Sequence, residues 1–169
     1  MKMHDLPTNP VSKTDRLPYD KPVQYILPEK DVIAMLEVTS PEERVFLLAY
    51  LDTGARRSEI FRWTWADDVN FEKRQVWLGT RKTRDGSMKY EWMPMTKALF
   101  NGLWWWYQNR PERVKDSPHV FVNLHGGPTA GKPFTHRRWF LKRICDRASV
   151  KPFGYHAIRR YAASILADK

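Results

Sequence analysis

Cysteine is almost missing from this sequence: the lone Cys145 excludes an internal disulfide and any multi-cysteine zinc site, and fits a reducing, cytoplasmic setting. The five histidines stand at positions 4, 119, 125, 136 and 156. No two of them have the short helical or loop spacing that metal ligands use, so no structural metal is expected. Long apolar runs are absent as well. The longest, Val45 to Leu51, is far too short to span a bilayer, and the stretch after Met1 lacks the apolar segment of a signal peptide. The expectation is a soluble, non-secreted protein with no membrane partner. Neither an internal repeat nor a low-complexity tract is present.

What is plentiful is positive charge. Lys and Arg number 29 against 19 Asp and Glu, a net charge of +10, which sets up a field that attracts polyanions. The excess clusters: Lys73, Arg74, Arg81, Lys82, Arg84 and Lys89 fall in one stretch, and Lys132, Arg137, Arg138, Lys142, Arg143, Arg147 and Lys151 in another. Nucleic acid is the expected partner. At 169 residues the chain suits one domain with a sizeable core plus a tail.

Residues 1–27 are polar and dotted with prolines (Pro7, Pro10, Pro18, Pro22), and read as a linker or flexible arm ahead of a domain over residues 28–169. Pro28 opens a helix running to about Val38. Ser40-Pro41-Glu42-Glu43 reads as an N-cap, a first-turn proline and two acids suited to the positive end of a helix that reaches Leu51 and is apolar almost all round. Gly54 stops it. A short helix over Arg56 to Trp63 leads to an edge strand near Asp67 to Asn70. Gln75 to Thr80 and Met88 to Met93 have strand character, joined through Asp85-Gly86, a turn dipeptide. Helices follow from Thr96 to Gln108, from Phe134 to Ala148 and from about Tyr155 onward. The class is α+β: a mostly helical domain with a small three-stranded antiparallel sheet. Its expected core comprises Phe46, Leu47, Leu48, Leu51, Ile60, Leu99, Leu103, Leu141 and Ile144. Trp104, Trp105 and Trp106 cannot all face one side of a helix, so at least one ring is expected at the surface or at a seam.

Three basic signatures lie far apart: Thr53-Gly54-Ala55-Arg56-Arg57-Ser58-Glu59-Ile60, Arg81-Lys82-Thr83 and His156-Ala157-Ile158-Arg159-Arg160. Attack on a phosphodiester builds charge on the non-bridging oxygens, and the planar fork of a guanidinium matches two of them. Arg56 and Arg159 are the candidates for that role. The leaving oxygen needs a proton, which a lysine or histidine supplies when its pKa is drawn toward neutrality. Lys82, in the hairpin, and His156 are the candidates, with Arg81, Arg84 and Lys89 as rivals to Lys82. His156 and Arg159 share a helix face, while Arg160 points away. Taken singly, each signature also reads as a helix stop, a solvated hairpin tip or a capping histidine.

In their order and spacing the signatures resemble the catalytic domain of the tyrosine recombinase (phage integrase) family, over roughly residues 25–169. The resemblance implies that Arg56 is the first family arginine, Lys82 the hairpin lysine, His156 and Arg159 the H-x-x-R box, and Glu59 an acid that orients Arg56. Arg160 stands where a histidine is common. The resemblance also implies a nucleophilic tyrosine beyond Lys169, so the domain is expected to be C-terminally incomplete. Tyr155 and Tyr161 are turned aside from the Arg159 face and are not expected to replace it. The implied activity is that of a site-specific recombinase or integrase, which cuts and rejoins double-stranded DNA through a 3′-phosphotyrosyl intermediate with no metal or nucleotide cofactor. A homo-oligomer, tetrameric in synapsis, is implied for the complete protein, and a monomer and no activity for this fragment alone. Type IB topoisomerases use a similar constellation. The alternatives are a non-catalytic module that binds duplex DNA, and an RNA-binding or protein-interaction domain that uses the tryptophans.

Overall fold

The computed structural model describes residues 25–80, 87 and 89–167. The expected arm lies outside the described residues up to residue 24. Of its last three positions two are packed, and Ile26 between them is exposed: Leu27 is buried, the Tyr25 ring lies 6.2 Å from Phe153, and the Tyr25 hydroxyl donates to Asp31 Oδ2 at 3.3 Å. Helix α1 then spans Glu29–Glu37.

Helix α2, Pro41–Thr53, begins as its sequence dictates. Ser40 Oγ accepts from the Glu43 N–H at 3.3 Å while Glu43 Oε2 accepts from the Ser40 N–H at 3.1 Å, a reciprocal cap that satisfies two otherwise unpaired donors. Its end is a left-handed Gly54 at φ 55°, whose N–H returns to the Tyr50 carbonyl. Between these caps the helix runs through the middle of the domain. Phe46, fully buried, meets Phe121 and Phe140 edge-on at 4.9 and 4.8 Å and stacks on Phe61 at 5.7 Å.

A single turn, α3 (Arg57–Ile60), leads to β1 (Val69–Asn70), β2 (Gln75–Thr80) and β3 (Lys89–Pro94). They form the expected antiparallel sheet in the order β1-β2-β3, with Val76 opposite both Val69 and Met93, and Trp77 opposite Trp92. Alternation along β2 sends Val76 into the core and stacks Trp77 on Tyr90, whose ring is exposed, on the other face. The residues joining β2 to β3, Lys82 among them, lie outside the described set except for Ser87.

Helix α4 (Lys97–Asn109) is capped by Thr96 and packs on α2 through Leu99 and Leu103. Of the tryptophan run, Trp104 and Trp105 are exposed, while Trp106 is buried and donates through Nε1 to the Val120 carbonyl at 2.9 Å. A 3₁₀ turn follows at Glu112–Val114, then α5 (Phe140–Ala148) and α6 (Tyr155–Ala167). Helix α5 packs on α1, and α6 on α2.

Two expectations need correction. Residues 134–139 are not helical, and α5 begins only at Phe140. Tertiary contacts override the local pattern there. Arg137 reaches across to Glu42 at 2.9 Å and sits 4.4 to 4.7 Å from the Phe46, Phe134 and Phe140 rings, which holds the segment in a loop wrapped over the start of α2. In the core, Phe46, Leu47, Ile60, Leu99, Leu103, Leu141 and Ile144 are buried as expected, whereas Leu48 and Leu51 are only partly so. They lie on the flank of a helix that is not enclosed on every side.

Candidate active site

The segment between α2 and α3 makes a tight corner. Thr53 Oγ1 donates to the Ala49 carbonyl at 2.6 Å and accepts from the Ala55 N–H at 3.2 Å, and the left-handed Gly54 redirects the chain. Arg56 emerges from this corner as the N-cap of α3. The buried Glu59 carboxylate receives the Arg56 backbone N–H at 2.7 Å on one oxygen and the Arg56 guanidinium at 3.1 Å on the other. One acid thus fixes both the backbone and the side-chain direction of Arg56, and leaves that side chain 41% exposed.

Helix α6 is brought to this corner through Gly54. A β-carbon at that position would lie 3.3 Å from Ala162 Cβ and 3.9 Å from Arg159 Cγ, so only glycine allows the approach without displacement. Ala157, Ile158 and Ala162 face inward and are buried, Arg159 is part-buried, and His156 and Arg160 are exposed.

An open cleft results. Arg56, Arg57, Ser58, Tyr155, His156 and Arg159 line it, together with Ala55. Of the four residues that the sequence singles out, Arg56, His156 and Arg159 therefore converge, and Lys82 falls outside the described residues. On its other side Arg159 borders a recess shared with Glu59, Leu78, Lys89, Glu91 and Met93, which brings the first residue of β3 to the same locality. Among the described residues no group of three or more His, Cys, Asp or Glu could hold a metal ion. No helix among them is long and apolar enough to cross a membrane.

Two cleft residues escape the sequence reading. Tyr155 lines the cleft rather than turning aside. Its ring fills the space between the Tyr50 ring, 4.8 Å away, and the Arg57 guanidinium, 5.7 Å from its centroid, and its hydroxyl donates to the Arg137 carbonyl at 3.4 Å. Burial pushes the Tyr155 phenol up to about 12, with the Arg137 and Arg57 charges pulling weakly the other way. A phenol so placed is a poor nucleophile at neutral pH. Adjacency to Arg56 and His156 was the available signal for both residues, but a tyrosine and a second arginine in such positions are ordinary helix-surface residues until the packing is known.

The sequence profile of the phage integrase family matches residues 26–169. The fold is similar to the Tn1549 transposon integrase in complex with circular intermediate DNA, with a TM-score of 0.68 at 18% identity over 90% of this chain and 56% of that one. It is also similar to XerA recombinase, with a TM-score of 0.65 at 18% identity over 86% of this chain and 52% of that one. The integrase from mycobacterium phage Brujita gives a TM-score of 0.64 at 19% identity, covering 95% of this chain and 50% of that one. This chain thus spans 50 to 56% of the length of these three proteins. No curated protein sequence matches it significantly.

Proposed function

The chain belongs to the phage integrase family, and on that premise we propose that it is the core of a tyrosine recombinase catalytic domain that cuts and rejoins duplex DNA at specific sites. The observation that carries this reading is the convergence of Arg56, at the start of α3, with His156 and Arg159, on α6, in one open cleft. These side chains come from distant parts of the chain, and their charge suits one phosphodiester.

In the proposed mechanism the scissile phosphate enters this cleft. Arg56 and Arg159 hold its non-bridging oxygens through paired N–H donors, and their charge matters most as the pentavalent transition state concentrates negative charge there. Glu59 prevents Arg56 from reorienting when substrate arrives, so less ordering cost falls on the binding step. His156, one turn before Arg159, donates to the same phosphate. Lys82 delivers the proton to the departing 5′ oxygen. The attacking group is a tyrosine that follows Lys169 in the complete protein: its oxygen bonds to phosphorus as the bond to the 5′ oxygen breaks, giving a 3′-phosphotyrosyl intermediate and a free 5′ hydroxyl. Attack by the 5′ hydroxyl of a partner strand reverses the step and releases the tyrosine. Exchange between two duplexes calls for several copies, a tetramer in synapsis, with the residues ahead of Tyr25 serving as the arm that joins the catalytic unit to a preceding DNA-clamping domain.

Strand exchange by the complete protein between two duplexes carrying its recombination sites tests this reading. Arg56→Ala and Arg159→Ala are expected to abolish exchange while retaining much of the duplex affinity. Exchange that survives both substitutions, or a preference for structured RNA over duplex DNA in competition, would remove it.

A further inference from the structure

Arg57 enters the cleft next to Arg56 but is held in a different way. Arg56 is tied to the Glu59 carboxylate, whereas the Arg57 guanidinium rests against the face of Tyr155 and makes no ion pair among the described residues. The seat is a firm one, because the Tyr155 ring is backed by Tyr50 and its hydroxyl is engaged with the Arg137 carbonyl. A guanidinium on an aromatic face keeps the edge of its fork available for oxygen acceptors, and a pre-positioned side chain loses less freedom on binding than a loose one.

The charge count of the cleft points the same way. Arg56, Arg57 and Arg159 bring three guanidinium groups to the cleft and its border against the one Glu59 carboxylate, while a single phosphodiester brings one negative charge. Along a DNA strand the next phosphate is the nearest anion to meet the excess.

We propose that Arg57, seated on Tyr155, is a further phosphate-binding arginine that takes the DNA phosphate next to the one held by Arg56, His156 and Arg159. The inference rests on the DNA-processing reading above. Its function is positioning: a second grip on the same strand sets the register of the scissile phosphate in the cleft.

The test is equilibrium binding of a fluorescent duplex across a series of salt concentrations. For Arg57→Gln the slope of log K against log salt is expected to become shallower by about 0.9, the loss of one phosphate contact, with a similar loss of affinity on unrelated sequences and an unchanged melting midpoint. Tyr155→Leu, which removes the seat but not the charge, is expected to weaken binding less. Lys115→Gln, at an exposed lysine paired with Glu112, is expected to leave the slope as it was. If Arg57→Gln does not fold, Arg57→Met, which keeps an apolar stem on the ring, takes its place with the same expectation. A slope unchanged by the Arg57 substitution while the wild-type protein binds duplex DNA overturns this inference alone. No duplex binding by the wild-type protein overturns it together with the reading it rests on.

Discussion

Gly54 and Ala162 face each other so closely that a β-carbon on the glycine would stand 3.3 Å from the alanine Cβ. This contact joins the corner that presents Arg56 to the helix that presents His156 and Arg159, so the spacing of the cleft depends on it. Gly54 is also left-handed, at φ 55°. Gly54→Ala is therefore expected to cost about 1–2 kcal/mol from backbone strain alone, and to push α6 outward. Urea unfolding together with duplex affinity checks this. A variant as stable and as tightly bound to DNA as the parent would mean that the close approach sets nothing.

Arg137 stabilises the domain rather than the chemistry. It bridges the 134–139 loop to Glu42 with both side chains nearly enclosed, at 12% and 11% exposure, and it touches three phenylalanine rings. Removing one member leaves an enclosed charge without its partner, so Arg137→Ala is expected to lower stability by roughly 3–5 kcal/mol. Pairing Arg137→Met with Glu42→Gln should recover much of that loss, since neither charge is then stranded. A loss below about 1 kcal/mol for Arg137→Ala would show that the cage has little energetic weight.

Much of this architecture was legible in the sequence, for identifiable reasons. Caps and turns are local chemistry, so Ser40 with Glu43, Gly54, and the strands on either side of Asp85-Gly86 could be placed from neighbours a few residues away. The convergence of Arg56 with Arg159 was also within reach, because each lies in a short signature in a defined context. Arg137 was not legible: Glu42 and Phe46, which hold it, are far away in sequence, and the apolar spacing of Phe134, Leu141 and Ile144 continues a helical period that the ion pair to Glu42 interrupts. Tyr155 escaped for a related reason. Its position on the helix follows from its number, but the direction of its ring depends on Tyr50 and Arg57, which belong to other elements.

Two tyrosines make the protein sensitive to alkali. Burial raises the Tyr50 phenol far above its ordinary value of about 10 and pushes that of Tyr155 up to about 12. Folding thus favours their neutral forms. The stability this contributes is fully present below pH 10 and is lost as pH rises toward 12. Moreover, the Tyr50 hydroxyl is buried without a hydrogen-bond partner among the described residues, so Tyr50→Phe is expected to be neutral or stabilising at pH 7 and to flatten the alkaline limb of the stability curve. Phenolate absorbance recorded alongside circular dichroism checks both points. Full ionisation of Tyr50 and Tyr155 near pH 10 in a still-folded protein would contradict the account.

The central claim is that Arg56 and Arg159 act together on one phosphodiester, and a covalent adduct reports on it most directly. The measurement uses the C-terminally complete protein, a nicked duplex carrying its recombination site, and a denaturing gel that retains only covalent protein–DNA species. The account predicts an adduct with the wild-type protein and its loss in both Arg56→Ala and Arg159→Ala, each still binding the duplex. Tight, salt-sensitive binding by the wild-type protein with no adduct, or an adduct untouched by either substitution, would contradict it.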